Sequence, residues 1–177
     1  MRVNNLKVIV PSLEANPLNE VETFGAAAWL WMQSDMHKGL PLAALNALLL
    51  PAIKNGQFLL AFEDDKPVAY QGWAKLNETT EAAYLRSSLG ITTVEDWNSG
   101  ERYWLTDTIV PFGHSKQMRR VLTHHVLPNE CIRSLHHKGS TRGLKVIQIH
   151  GVAVHTKEAE HWFETNPVNG LNELKTD

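Results

Sequence analysis

The chain has 177 residues, 43% of them hydrophobic, which is enough for one substantial core and too few for two domains of ordinary size. Nineteen acidic against 17 basic residues leave a formal charge of −2, without the basic excess that accompanies non-specific binding to a phosphate backbone, so nucleic acid is not an expected partner. A lone cysteine, Cys131, cannot form an internal disulfide, the opening MRVNNLKVIVPSLE holds only a short apolar run, and no stretch approaches the ~20 apolar residues of a membrane span; a reducing cytoplasm is the expected setting.

Residues 1–20 and 165–177 are richer in Asn, Glu and Pro than in core formers, so the pattern predicts one domain over 21–164 between an N-terminal extension and a C-terminal tail, both prone to fraying. Phe24 to Gln33 is apolar on nearly every face and predicts a largely buried helix. The polar stretch Ser34 to Leu40 interrupts it and places His37 in a connection. A second helix is expected from near Pro41, carrying Leu42, Leu45, Leu49 and Ala52 and ending or kinking at Pro51. Gln57 to Phe62 and Val68 to Trp73 flank the turn-forming EDDKP and predict an antiparallel hairpin. Asn77 or Thr79 is placed to cap a helix running to about Leu89. Arg102 to Val110 reads as a strand stopped by Pro111 and Gly113, and Ser115 is expected to cap a helix with Met118, Val121, Leu122 and Val126 on one side. Leu144 to His150 predicts a further strand, and Thr156 to Phe163 a short helix. This order fits an α+β domain, a central mixed or antiparallel sheet flanked by helices.

The period of two along Arg102 to Val110 puts Tyr103, Leu105, Asp107 and Ile109 on one face. A carboxylate in apolar company must be hydrogen-bonded, paired with a cation or open to a cleft, so Asp107 is either a structural tie or a catalytic group. His37 is the second candidate, because a loop beside a buried helix presents side chains and imidazole exchanges a proton near neutral pH. Ser34 precedes it by three residues and reads as a residue that shapes or caps the loop; it acts as a nucleophile only if its hydroxyl meets the imidazole. His124, His125, Cys131, His136 and His137 lack the paired spacings of a zinc site, and no metal is expected. Cys131 reads as a packing residue. The stretch HKGSTRGLK has glycines and cations but not the spacing of a phosphate loop.

The blocks WLWMQSDMHKGLPL, LLPAIKNGQF, KPVAYQGWA and EDWNSGERYWLTDTIVPFGH resemble, in order and spacing, successive motifs of the RTX toxin-activating lysine-acyltransferase family. The resemblance covers about Ala27 to His114, with weaker similarity over Lys145 to Lys157. It implies a fold similar to the GNAT acetyltransferases. It also assigns His37 as the catalytic histidine and Asp107 as the aspartate ahead of the Pro-Phe-Gly turn. The implied reaction moves a fatty acyl group from acyl-carrier protein to the ε-amino group of internal lysines of an RTX protoxin, with no tightly bound cofactor and a homodimer as a plausible assembly. Some relatives have an Asn eleven residues after the histidine where this chain has Leu48, with Asn46 two positions earlier, so a contact made by that Asn does not carry over. The competing readings are a GNAT-like enzyme acylating a small amine from acyl-CoA, which predicts a glycine-rich pyrophosphate loop, and a non-catalytic module that binds toxin or carrier. The second has no need for His37 and Asp107 to meet.

Overall fold

A computed structural model describes residues 1–14, 19–86, 93–136 and 145–169. The predicted helix end at Leu89, the strand start at Leu144, His137 and most of HKGSTRGLK lie outside them. Seven strands form one sheet whose spatial order follows the chain. They are β1 (Arg2–Val3), β2 (Leu6–Ile9), β3 (Phe58–Glu63), β4 (Lys66–Leu76), β5 (Arg102–Ile109), β6 (Cys131–Leu135) and β7 (Val146–His150). Every neighbouring pair is antiparallel except β5 and β6. Between those two the chain crosses back through a helix, as a parallel connection requires. The parallel pairing covers only Tyr103 to Leu105, and β5 continues past it to Ile109.

Local chemistry explains most element ends. Helix α1 (Glu20–Gln33) starts four residues ahead of the apolar run, because the Asn19 side chain accepts from the Glu22 amide at 2.8 Å and Glu20 and Glu22 sit in the positive first turn. The expected second helix is two short ones, α2 (Ala43–Leu48) and α3 (Leu50–Lys54), broken at Leu49. Pro51 lies in the first turn of α3, where its missing N–H is harmless, and so opens a helix instead of ending one. The β3–β4 hairpin turns on Asp64 and Asp65, whose φ angles of 46° and 63° are the two positive values a tight two-residue hairpin turn needs. Asn77, and not Thr79, caps α4 (Glu78–Arg86), accepting from the Thr80 amide at 2.8 Å. Ser115 is the first residue of α5 (Ser115–Val121) and makes no capping hydrogen bond; His114 holds the cap position. α5 runs on into a wider turn over Leu122–Val126, and α6 (Thr156–Thr165) closes the described chain.

The first ten residues, expected to precede the domain, supply β1 and β2. Leu6, Val8, Ile9 and Val10 are buried, and β2 pairs with β3. Their alternation is too short to stand out in the sequence, but pairing against an existing strand needs only a few residues.

Helices cover both faces of the sheet. On one face Ala27, Leu30 and Trp31 of α1 and Leu45, Leu49 and Ile53 around α2 and α3 pack on Phe58, Leu60, Tyr70 and Ile109. On the other, Met118, Val121 and Leu122 pack on Val8, Leu59, Trp73, Leu105 and Ile132. Leu105 and Ile109 therefore face opposite ways, which strict alternation forbids. The cause is a bulge: Gly72 pairs with Asp107 and the next residue, Trp73, with Leu105, leaving Thr106 as the extra residue of β5. The expected single face of Tyr103, Leu105, Asp107 and Ile109 is thus split. Asp107 stays with Ile109 on the α1 side, and Tyr103 and Leu105 turn to the α5 side. Among the described residues no helix is long and apolar enough to cross a membrane.

Candidate active site

The end of α1 builds the first half of the site. Ser34 ends the helix, its amide donating to the Trp31 carbonyl at 3.1 Å, and the chain then winds through a tight turn in which the His37 and Lys38 amides both donate to the Ser34 carbonyl. That turn brings side chains three apart onto one side. The Ser34 hydroxyl meets His37 Nδ1 at 2.7 Å, and the imidazole lies against the Trp31 ring with centroids 4.6 Å apart.

β5 supplies the other half. His37 Nε2 and Asp107 Oδ1 are 2.9 Å apart across seventy positions of sequence, and the same Oδ1 accepts from the Thr108 amide at 2.8 Å. The sequence-predicted pair, His37 and Asp107, is therefore in direct contact, with Ser34 continuing the chain of hydrogen bonds. His37 is 5% and Asp107 7% exposed, whereas Ser34 is half-buried, so the line of contacts runs from the interior toward the surface at Ser34. An ionised carboxylate only accepts, so Nε2 carries the proton and the lone pair of the ring is on Nδ1, facing Ser34.

The turn after β5 is fastened beside this arrangement. Phe112 stands 6.0 Å from Trp29 of α1, and Lys66 Nζ lies 4.2 Å from the Phe112 ring centroid. That contact holds the end of β5 against the helix that carries Ser34. A cavity of about 410 Å³ lined by Gln57, Trp73, Lys75, Tyr103 and Glu130 lies elsewhere, and none of Ser34, His37 and Asp107 borders it.

The other residues singled out by the sequence do not join the site. Among the described residues no three His, Cys, Asp or Glu side chains gather as metal ligands. Cys131 is buried at the start of β6, where burial first and the Glu130 charge second push its thiol above the ordinary value. Asn46 is exposed on α2 and Leu48 half-buried.

An acid, an imidazole and a hydroxyl in series are equipped for proton transfer during acyl transfer, and similarity to known proteins bears on which acyl transfer it is. Residues 16–150 match the model of the RTX toxin acyltransferase family. The chain belongs to that family. It is an acyltransferase. Over 162 residues it is 37% identical to the leukotoxin-activating lysine-acyltransferase LtxC of Aggregatibacter actinomycetemcomitans, covering 89% of this chain and 92% of that one. It is 32% identical over 161 residues to the protein-lysine myristoyltransferase RtxC of Kingella kingae, covering 89% and 93% of the two chains. With the protein-lysine myristoyltransferase HlyC of Escherichia coli the identity is 33% over 159 residues, covering 88% and 90%.

Two contributors to the site in this RTX toxin acyltransferase family member escaped sequence reasoning. The bulge at Thr106 decides which face Asp107 joins, and Gly72, paired directly with Asp107, leaves its side-chain space on that face to the Tyr70 ring and hydroxyl. The glycine was visible in KPVAYQGWA, but its partner across the sheet was not.

Proposed function

We propose that this chain transfers a fatty acyl group from acyl-carrier protein to the ε-amino group of internal lysines of an RTX protoxin, in the cytoplasm and on a GNAT-like scaffold. The observation that carries the chemistry is the Ser34–His37–Asp107 series, with Nε2 committed to Asp107 and Nδ1 turned toward the half-exposed hydroxyl. A lysine ammonium, with a reference pKa of about 10.4, is not nucleophilic until it loses a proton. The ammonium first releases one proton to solvent; as the neutral amine attacks the thioester carbonyl carbon, Nδ1 of His37 takes a second proton from its nitrogen. As the tetrahedral intermediate collapses, the C–S bond breaks, the new amide forms, and the thiolate leaving group takes the proton from the imidazolium. Asp107 holds the ring in the tautomer that leaves Nδ1 basic and stabilises the imidazolium while it exists. Ser34 marks the side from which the amine arrives.

The substrates rest on kinship: the relatives are named for activating RTX toxins and leukotoxins by acylating lysine. In support of the scaffold, the sheet is sequential and antiparallel except for one parallel pair that meets over three residues. An acidic carrier protein would be met by exposed cations, and Lys116, Arg119 and Arg120 of α5 are exposed; Lys38, beside His37, is already paired with Asp35 at 2.6 Å. The resemblance also leads us to expect a homodimer.

The decisive experiment is acylation of a cognate RTX protoxin, read by mass spectrometry of its lysines. The His37→Ala variant, shown to be folded by circular dichroism, should lose about 10²–10⁴-fold in rate. Retained acylation in that variant overturns the mechanism, and acyl-CoA serving as fast as acyl-carrier protein at equal concentration overturns the donor.

A further inference from the structure

Two buried polar atoms at this site, Asp107 Oδ2 and the Tyr70 hydroxyl, have no hydrogen-bond partner among the described residues. Each is expensive to leave so, because a buried group that gives up water without a replacement loses the full desolvation energy. Their positions are linked through the sheet. Tyr70 pairs with Ile109 and Gly72 with Asp107, and within each strand the two residues are two apart, beyond the bulge, so all four share the face that packs on α1. Gly72 has no side chain there. The Tyr70 hydroxyl occupies the ground it leaves, 3.2 Å from where a Cβ on Gly72 would stand. Cβ positions directly opposite in such a ladder are about 5 Å apart, so the phenol oxygen sits next to the ladder position that faces Asp107.

We propose that Tyr70 is a positioning residue for Asp107: its hydroxyl donates to Oδ2 as the site engages its substrates, keeping the carboxylate ionised with Oδ1 aimed at His37 Nε2. The assignment rests on acyl transfer at His37. Hydrogen bonds of this kind are often long in an empty site and tighten in the Michaelis complex. The other titratable groups facing Asp107 are His37 from the loop after α1, which is already taken up by Oδ1, and Tyr84 from α4, which packs edge-on against Trp104. Burial first, and the Asp107 charge second, push the Tyr70 phenol well above its ordinary value, so it stays protonated and able to donate. Gly72 is then required twice: a Cβ would crowd Ala52 at 3.3 Å and the hydroxyl itself.

The test is Tyr70→Phe in the full-length protein, with kcat and KM followed against pH and the His37 imidazole titrated by NMR. Without the donor the Asp107 carboxylate is a stronger acceptor toward the imidazolium, which moves the acid limb of kcat and the His37 titration to higher pH. Hydrogen bonds to charged groups are strong enough that kcat should fall about tenfold or more, with KM for carrier and protoxin unchanged. A folded variant with wild-type kcat and an unmoved acid limb overturns the assignment, as does a loss that appears in KM alone. If Tyr70→Phe fails to fold, 3-fluorotyrosine at position 70 decides: a stronger donor should move the acid limb to lower pH, and an unmoved or raised limb refutes the role. Normal kcat in Tyr70→Phe alongside a dead His37→Ala sinks only Tyr70, whereas an active His37→Ala sinks acyl transfer at His37 itself.

Discussion

At Ser34 the question is whether the hydroxyl guides a proton or forms a bond to the acyl group. Its 2.7 Å contact with Nδ1 would suit a nucleophile, but the same contact follows from the turn that ends α1, which places residues three apart side by side. If the hydroxyl only orients the ring, Ser34→Ala leaves the Asp107 contact and the Nδ1 lone pair in place and removes one neutral hydrogen bond, worth about 1 kcal/mol. Acylation should then fall about fivefold, far less than in His37→Ala. A loss as deep as that of His37→Ala, together with an acylated Ser34 trapped from the wild-type enzyme, would make Ser34 the nucleophile. His37 and Asp107 were legible in the sequence for different reasons. Asp107 stood out as a carboxylate among apolar residues, and His37 through its place in a recognisable block. Tyr70 was not legible, because an aromatic residue in a strand is ordinarily packing, and only the register that sets it beside a bare Gly72 reveals its orphaned hydroxyl.

Elements were legible where a local signal marks them and hidden where a distant one does. The β3–β4 hairpin, the strand β5 and the helix α1 could be read from turn residues and apolar spacing. β6 could not. Its period of two sets Cys131, Arg133 and Leu135 on one face, and an arginine at the centre of a strand reads as an exposed position, yet Arg133 is 1% exposed because α4 supplies its counter-ion. The start of α1 was missed by four residues for a local reason that is directly testable. Asn19 satisfies an amide that would otherwise lack a partner, and replacing such a cap by alanine typically costs about 1 kcal/mol. Asn19→Ala should lower the melting temperature by a few degrees while leaving kcat at lower temperature unchanged, since the helix end that carries Ser34 lies about four turns away. A melting temperature equal to wild type would show that tertiary packing alone fixes where α1 begins.

For the molecule as a whole, the feature that joins its outer parts is a buried ion network invisible to any local pattern. Glu81 of α4 is 1% exposed; its Oε1 accepts from Trp104 Nε1 at 2.7 Å and from Arg133 at 2.9 Å, and its Oε2 accepts from Arg102. Arg133 also donates to the Asn166 carbonyl and lies over the Trp162 ring, 4.8 Å from its centroid. One carboxylate thus ties α4 to β5, to β6 and, through Arg133, to the end of α6, with Trp104 and Arg133 themselves paired across the parallel strands. Burying charges gives up hydration that the pairing only about recovers, so the network's net worth is small, but removing one member strands the rest. Glu81→Gln keeps the shape and the acceptor for Trp104, yet it removes the carboxylate charge that opposes Arg133 and turns an amide NH₂ toward an arginine that can only donate. Breaking a buried pair in this way typically costs about 3–5 kcal/mol, a large part of the stability of a single domain. Chemical denaturation of Glu81→Gln should therefore show a midpoint far below wild type, and Glu81→Met combined with Arg133→Met should recover part of the loss by leaving fewer stranded charges. A Glu81→Gln protein within about 1 kcal/mol of wild type would show that the two arginines find water or other partners, and that the sheet and its helices are held by apolar packing alone.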